Sequence, residues 1–348
     1  MIVDEYTLVK LIDKGQFGEV YLGSKKESYE KFAIKKRDPS KFFKFKGRKK
    51  NLNNELFLMK DMNHPNIIKL FDIKKPGLVY IITEYCNGGN LKQFLENYLK
   101  INNKALPEEI VQSIMRQVIE AFRYLYNKKI IHRCINLRHI LINYENDEDR
   151  ENNNIMKGKI KIINFLCASY LQKGKLRKSF VGDFLTMSPI ILNKHNNIDY
   201  KDIGYGEKED IWSLGIICYE LLVGKNPFGS NINGELLNKI NNGEYYVPIT
   251  LSKEAISFIN CMLQYYPQNR LSVDELYNHD FLRKNVKEFN KLDLNIIKKY
   301  GHNSQIKIST KNNELFKEIL AKPICNSKNK ENLKYNKINL KLNNNKYF

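Results

Sequence analysis

The chain has 348 residues and a formal charge of +20, with hydrophobic residues at 42% and aromatic residues at 11%. That length can bury the core of a large two-lobed domain, and that apolar content excludes a disordered chain. No stretch reaches the length of a membrane span, and the opening MIVDEYTLVK lacks the basic-then-apolar pattern of a leader, so a cytoplasmic address is expected.

Residues 6–12 and 17–23 alternate in polarity around a glycine-bearing turn, which predicts a hairpin, and FAIK at 32–35 predicts a third strand. The run 36–50 then carries eight Lys/Arg and three phenylalanines against one acid. Such a run docks an acidic partner, RNA or a phosphoinositide surface, or it is a solvated loop with its phenylalanines tucked under the sheet. The solvated loop is favoured. Apolar periodicity predicts a helix over 52–62, and strands follow at 67–73 and 78–84.

After Gly88 and Gly89 the pattern turns helical. The segment 107–127 opens on Pro107 as its first helical residue, followed by two glutamates, and repeats Val111, Ile114, Val118, Phe122 and Leu125. Residues 143–158 are acidic and Asn-rich, as expected of a surface loop. Residues 210–223 are apolar almost all round, which marks a fully buried helix. Ser272 and Glu275 have the spacing of a capping box. Residues 283–348 hold sixteen Lys/Arg against five Asp/Glu, and their apolar pairs at 296–297, 315–316 and 319–320 predict one or two weak helices before a mobile end. The six cysteines form no CxxC pair, which suits reduced thiols in a reducing compartment.

A series of segments in a fixed order resembles the protein kinase family over residues 4–282. KGQFGEV is similar to its Gly-rich loop, AIK to its third strand and ELFLMKDMNHPNII to the helix that pairs the strand's lysine. YIITEYCNGG resembles the hinge, IIHRCINLRHILIN the catalytic loop, IKIINFLCA the metal loop, DIWSLG the buried helix and PQNRLSVDELYNHDF the closing helices. The run WSLGIICYELLVGKNPF looks more like serine/threonine than tyrosine kinases. The resemblance implies an α+β, bilobal protein-kinase fold over 1–282. Its small antiparallel lobe with one helix spans 1–83, its hinge 84–90 and its mainly helical lobe 91–282, with 283–348 as a basic extension.

The same resemblance implies ATP as a ligand. Nucleotide contacts fall on Gly15, Gly18, Val20, Ala33, Lys35, Glu55, Thr83, Glu84, Cys86 and Leu141. Asp13 replaces the first glycine of the loop, which should weaken nucleotide binding without forbidding it. The reaction centre departs from the family. HRDxKxxN reads here as His132-Arg133-Cys134-Ile135-Asn136-Leu137-Arg138-His139, so Cys134 stands for the carboxylate that takes the hydroxyl proton. A neutral thiol with a reference pKa of ~8.5 cannot replace it, and loss of a general base costs about 10²–10⁴ in rate. Asn136 replaces the phosphate-binding lysine, and His139 the asparagine of the second metal. DFG has become Asn164-Phe165-Leu166, and an amide offers Mg²⁺ much less than a carboxylate does. No catalytic residue is intact, no metal ligand is assigned, and Mg²⁺ binding is expected to be weak or absent.

Met59, Leu70, His132 and Phe165 match the stack that ties the two lobes together in the family, and Asp210 the residue that holds the catalytic loop. APE has become Ser188-Pro189-Ile190, so Arg270 loses its family partner and needs another one or water. Ser179 and Thr186 are candidate phosphorylation sites. Cys134, His139 and Cys167 at a new metal or thiol centre is a disfavoured alternative. The leading expectation is a pseudokinase acting through protein partners, with ATP as a conformational ligand. A low-activity serine/threonine kinase is the alternative, and a binder of nucleic acid or anionic membrane through 36–50 and 283–348 is a second, not favoured.

Overall fold

The computed structural model describes residues 1–15, 18–26, 28, 30–40, 48–75, 77–171, 181–196, 206–229, 234–288 and 305–310. An antiparallel sheet of six strands forms the first half. Its strands are β1 (Ile2–Val3), β2 (Tyr6–Gly15), β3 (Gly18–Lys25), β4 (Lys31–Arg37), β5 (Leu70–Lys74) and β6 (Val79–Glu84), in the order β1-β2-β3-β4-β6-β5. Strand alternation decides which face each side chain meets. On β4, Phe32 and Ile34 enter a small core with Tyr6, Leu8, Tyr80 and Ile82. Ala33 and Lys35, of opposite parity, line the cleft beneath.

The helix Arg48–Lys60 covers that lower side, burying Leu52, Leu56 and Met59 at helical spacing together with Glu55. It starts four residues before the apolar pattern does, because apolar periodicity reports only the buried face. Of the basic run, residues 41–47 lie outside the described residues.

The hinge leads into a helical half. Asn87 bridges the backbone of Tyr144 through both its amide atoms, at 3.1 and 2.8 Å, and Gly88 N–H donates to Ile142 O at 2.9 Å. The helix Glu108–Asn127 begins one residue after Pro107, which caps it instead of starting it. It packs beside Lys208–Val223, whose side chains from Glu209 to Tyr219 are all buried. The Ser272–Glu275 capping box is present.

The structure adds detail to three expectations. The acidic stretch 143–158 is more than a loop: Asn146 caps a short helix, Asp147–Glu151, and Tyr144 and Ile155 are buried. Thr186 is 4% exposed and its hydroxyl bonds Asp183 O, so its site is closed to a modifying enzyme in this conformation; Ser179 lies outside the described residues. The extension after 282 is not separate along its whole length. Residues Gln305–Ser309 form a strand on Glu244–Pro248, with Ile308 and Thr310 buried, while the apolar pairs expected to be helical lie outside the described residues. The alternation of QIKIS is a strand signal that the surrounding polar composition hides.

Candidate functional site

The cleft between the halves is a cavity of about 550 Å³. All ten residues with an expected nucleotide role line it, together with His139 and Asn164, whereas Cys134 and Asn136 are off its wall. Gly18 forms the roof at φ +151°, where a Cβ would meet Lys36 O at 2.1 Å, so the turn admits only glycine. Val20 pairs with Lys35 and Ala33 with Thr83 in the sheet register, which fixes the upper wall. Leu141 comes from the hairpin Ile140–Asn143 with Lys159–Ile162 and bridges Asn90 below. Burial pushes the Cys86 thiol up to about 12, so it is a neutral wall group. Glu84 is held by Lys161 at 2.8 Å and accepts from Lys69 N–H at 2.7 Å.

Lys35 Nζ lies 3.6 Å from Glu55 Oε1. The tighter partner of Glu55 is a residue that the sequence reading passed over: Arg37 Nη2 stands 3.0 Å from Oε2 and 3.2 Å from Oε1. Its signal was parity, since residues 35 and 37 of one strand share a face. Burial, then the neighbouring Arg37, pulls the Lys35 ammonium down to about 8 from 10.5, with Glu55 opposing. The lysine is therefore mostly charged near pH 7 and loses its charge as pH rises through about 8. ATP affinity should accordingly fall between pH 7 and 9.5, and Lys35→Arg, whose guanidinium stays charged, should flatten that profile in a fluorescence titration.

The catalytic-loop backbone is anchored from below. Asp210 accepts from His132 N–H and Arg133 N–H, both at 2.7 Å, and burial raises its carboxyl to about 6 against those bonds. His132 stacks edge-on against Phe165 at 5.2 Å, and Met59 and Leu70 pack in the same core. Contact with the Cys167 thiol, then burial, raises the Cys134 thiol far above its ordinary range, so it holds its proton. No three His, Cys, Asp or Glu side chains gather as a metal cluster among the described residues.

His139 and Asn164 are joined directly. His139 Nδ1 faces Cys134 O at 2.6 Å, and a carbonyl only accepts, so Nδ1 carries the proton. Nε2 then accepts from the Asn164 amide at 2.7 Å. Burial lowers the pKa of this imidazole, against the bond to Cys134 O and the Asp183 charge and with Lys35 and Arg138 pushing the same way. Asn164 sits at φ +68°, a left-handed conformation that asparagine tolerates.

Two acids act where the sequence did not point. Asp183, from the segment 181–188, accepts from Asn136 Nδ2 at 2.7 Å and from Leu185 N–H at 3.0 Å, which brings a carboxylate to the catalytic loop. Glu209 supplies the anion that Ile190 cannot: its Oε1 lies 3.3 Å from Arg270 Nη1, and Oε2 accepts from Ser188 Oγ. The partner was hidden because it stands one residue before Asp210, just outside the quoted motif.

A family profile described as the protein kinase domain matches residues 6–282. The serine/threonine-protein kinase atg1 of Dictyostelium discoideum is 30% identical over 81% of this chain and 40% of its own length. From the same organism, the probable serine/threonine-protein kinases MARK-A and fhkA are each 32% identical, over 80% and 81% of this chain but 24% and 50% of their own lengths. The chain thus spans half or less of these relatives. Members of the family transfer a phosphoryl group from ATP, with magnesium neutralising the phosphates. With a matching profile over most of its length, a six-stranded lobe over a helical one and a cleft between them, this chain belongs to the protein kinase family.

Proposed function

We propose that this chain is a pseudokinase, which takes a nucleotide into its cleft as a conformational ligand and acts by binding other proteins. The observation that carries the reading is the 2.7 Å bond between Asn164 Nδ2 and His139 Nε2. Both groups stand where the family holds its metal ions, neither carries a negative charge, and the imidazole lone pair is spent on the amide. Magnesium prefers oxygen ligands, carboxylates above all, and these residues fit it poorly. Cys134 keeps its proton, so it withdraws none from an acceptor hydroxyl. A nucleotide fits better: the apolar walls from Val20, Ala33 and Leu141 and the Lys35 cation line one cavity of suitable size.

The test is a thermal-shift titration with ATP in Mg²⁺ and in EDTA. Equal stabilisation is expected in both, about 2.7 kcal/mol at a ligand concentration of 100 Kd. Mg²⁺-dependent phosphorylation of a peptide, abolished by Lys35→Ala, overturns the reading.

A second reading, a low-activity serine/threonine kinase, is favoured by one observation, the Asp183 carboxylate bonded to Asn136. An acid delivered from the activation segment would orient an acceptor hydroxyl in place of the missing aspartate. On that reading, mass spectrometry of the purified protein finds autophosphorylation, and Asp183→Asn removes it at least 100-fold, the loss typical of a general base. On the first reading neither protein is phosphorylated. No described helix is long and apolar enough to cross a membrane.

A further inference from the structure

The cleft wall carries four cations, and their pairing is uneven. Lys35 and Arg37 share Glu55, and Lys92 lies 3.6 Å from Glu96. Arg138 is exposed, and among the described residues no carboxylate pairs with it. It follows the catalytic-loop residue Leu137 and precedes His139, so its backbone is fixed: Arg138 N–H donates to Asn136 Oδ1 at 2.9 Å. Lys35 enters the same cavity from the sheet above, and the neutral His139–Asn164 pair also lines it.

From this we infer that Arg138 and Lys35 together neutralise the phosphates of a nucleoside polyphosphate bound without a divalent cation. The inference rests on the nucleotide reading above and adds to it the group that replaces the metal. Three phosphates in a cleft need opposing charge, which the family supplies as metal held by carboxylates. Here the positions of those ligands are neutral, and an unpaired guanidinium opens into the same space. A guanidinium meets phosphate oxygens through two parallel N–H bonds and stays charged at any physiological pH. Being fixed to the protein, the guanidinium needs no acidic ligands, and the acid beside Lys35, Glu55, is already shared with Arg37. Arg138 falls at a position for which the family's catalytic-loop pattern specifies no residue, so nothing in the motif pointed to it.

The experiment measures ATP, adenosine and inorganic tripolyphosphate binding by calorimetry, in EDTA and in Mg²⁺, for the wild type, Arg138→Gln and Arg138→Lys. Expected is a roughly tenfold loss of ATP affinity in Arg138→Gln, the size of one phosphate–cation contact in a partly solvated cleft, with adenosine unchanged and most ATP affinity kept in Arg138→Lys. Tripolyphosphate binding as tight as that of ATP would make the ligand a free polyphosphate and overturn the nucleoside part. ATP binding that Arg138→Gln leaves intact overturns the role of Arg138 alone, whereas ATP binding that requires Mg²⁺ overturns the whole inference of metal-free binding. Absence of ATP and adenosine binding by the wild type overturns the nucleotide reading and this inference with it. The side chain is exposed, so an unchanged melting temperature without ligand is expected and confirms that each variant is folded.

Discussion

Glu209→Ala should lower the stability of the chain by about 3–5 kcal/mol, the cost of leaving one member of a buried ion pair without its partner. Both side chains are withdrawn from water, Arg270 at 0% and Glu209 at 4% exposure. Three carbonyls already serve the guanidinium: Gln264 O at 2.8 Å, Lys208 O at 2.7 Å and Tyr265 O at 3.1 Å. They satisfy three of its five donors but not its charge, and the face of the Trp212 ring, 5.1 Å away, attracts the cation far more weakly than a carboxylate does. The same substitution strips Ser188 of its acceptor, loosening the end of the segment 181–188. With a melting shift of about 2–4 °C per kcal/mol in domains of this order, calorimetry should record a drop of roughly 10 °C. Adding Arg270→Met should recover much of the loss, because an apolar pair no longer carries an isolated charge. A single Glu209→Ala variant melting within about 2 °C of the wild type would mean that the carbonyls alone hold Arg270.

The second large effect concerns the metal. The double substitution His139→Asn with Asn164→Asp removes the imidazole, breaks the 2.7 Å bond and places a carboxylate in the cleft. Oxygen ligands then stand at both positions, which is what a small hard cation requires. ATP affinity should become at least tenfold higher in Mg²⁺ than in EDTA, whereas the wild type is expected to show no difference. The double variant separates two explanations of a wild type indifferent to metal. If magnesium dependence appears, the two side chains were the obstacle. If it does not, the charge of Lys35 and Arg138 is the stronger barrier. Phosphotransfer is not expected to return with it, since Cys134 still occupies the place of the base.

Local signals carried most of the fold. The hairpin around Gly15 and Gly18, the parity of FAIK, the spacing of Leu52, Leu56 and Met59 and the Ser272–Glu275 box are all set within a few residues, where periodicity and capping are strong. The order of the motifs then brought together the residues that line the cleft. What stayed illegible is what distance in the chain conceals. Asp183 meets Asn136 across 47 residues, and Arg270 meets Glu209 across 61. Motif reading assigns one role per position, so it reports that a carboxylate is missing at 134 or 190 but not that another element delivers one nearby. The strand Gln305–Ser309 failed for a different reason: its partner Glu244–Pro248 lies some sixty residues earlier, and five residues in a basic extension carry little pattern of their own.

The double tether on Glu55 bears on how the small lobe can move. Where a single lysine holds the helix, cutting that one tie lets the helix swing outward and reshapes the lobe's flank. Here Arg37 grips the same carboxylate at 3.0 Å and is 3% exposed, so Arg48–Lys60 stays docked whether or not Lys35 is engaged by a ligand. Lys35→Ala is then a test of charge alone rather than of shape. A filled cleft would then be expected to change the protein by closing its two halves on each other rather than by moving this helix.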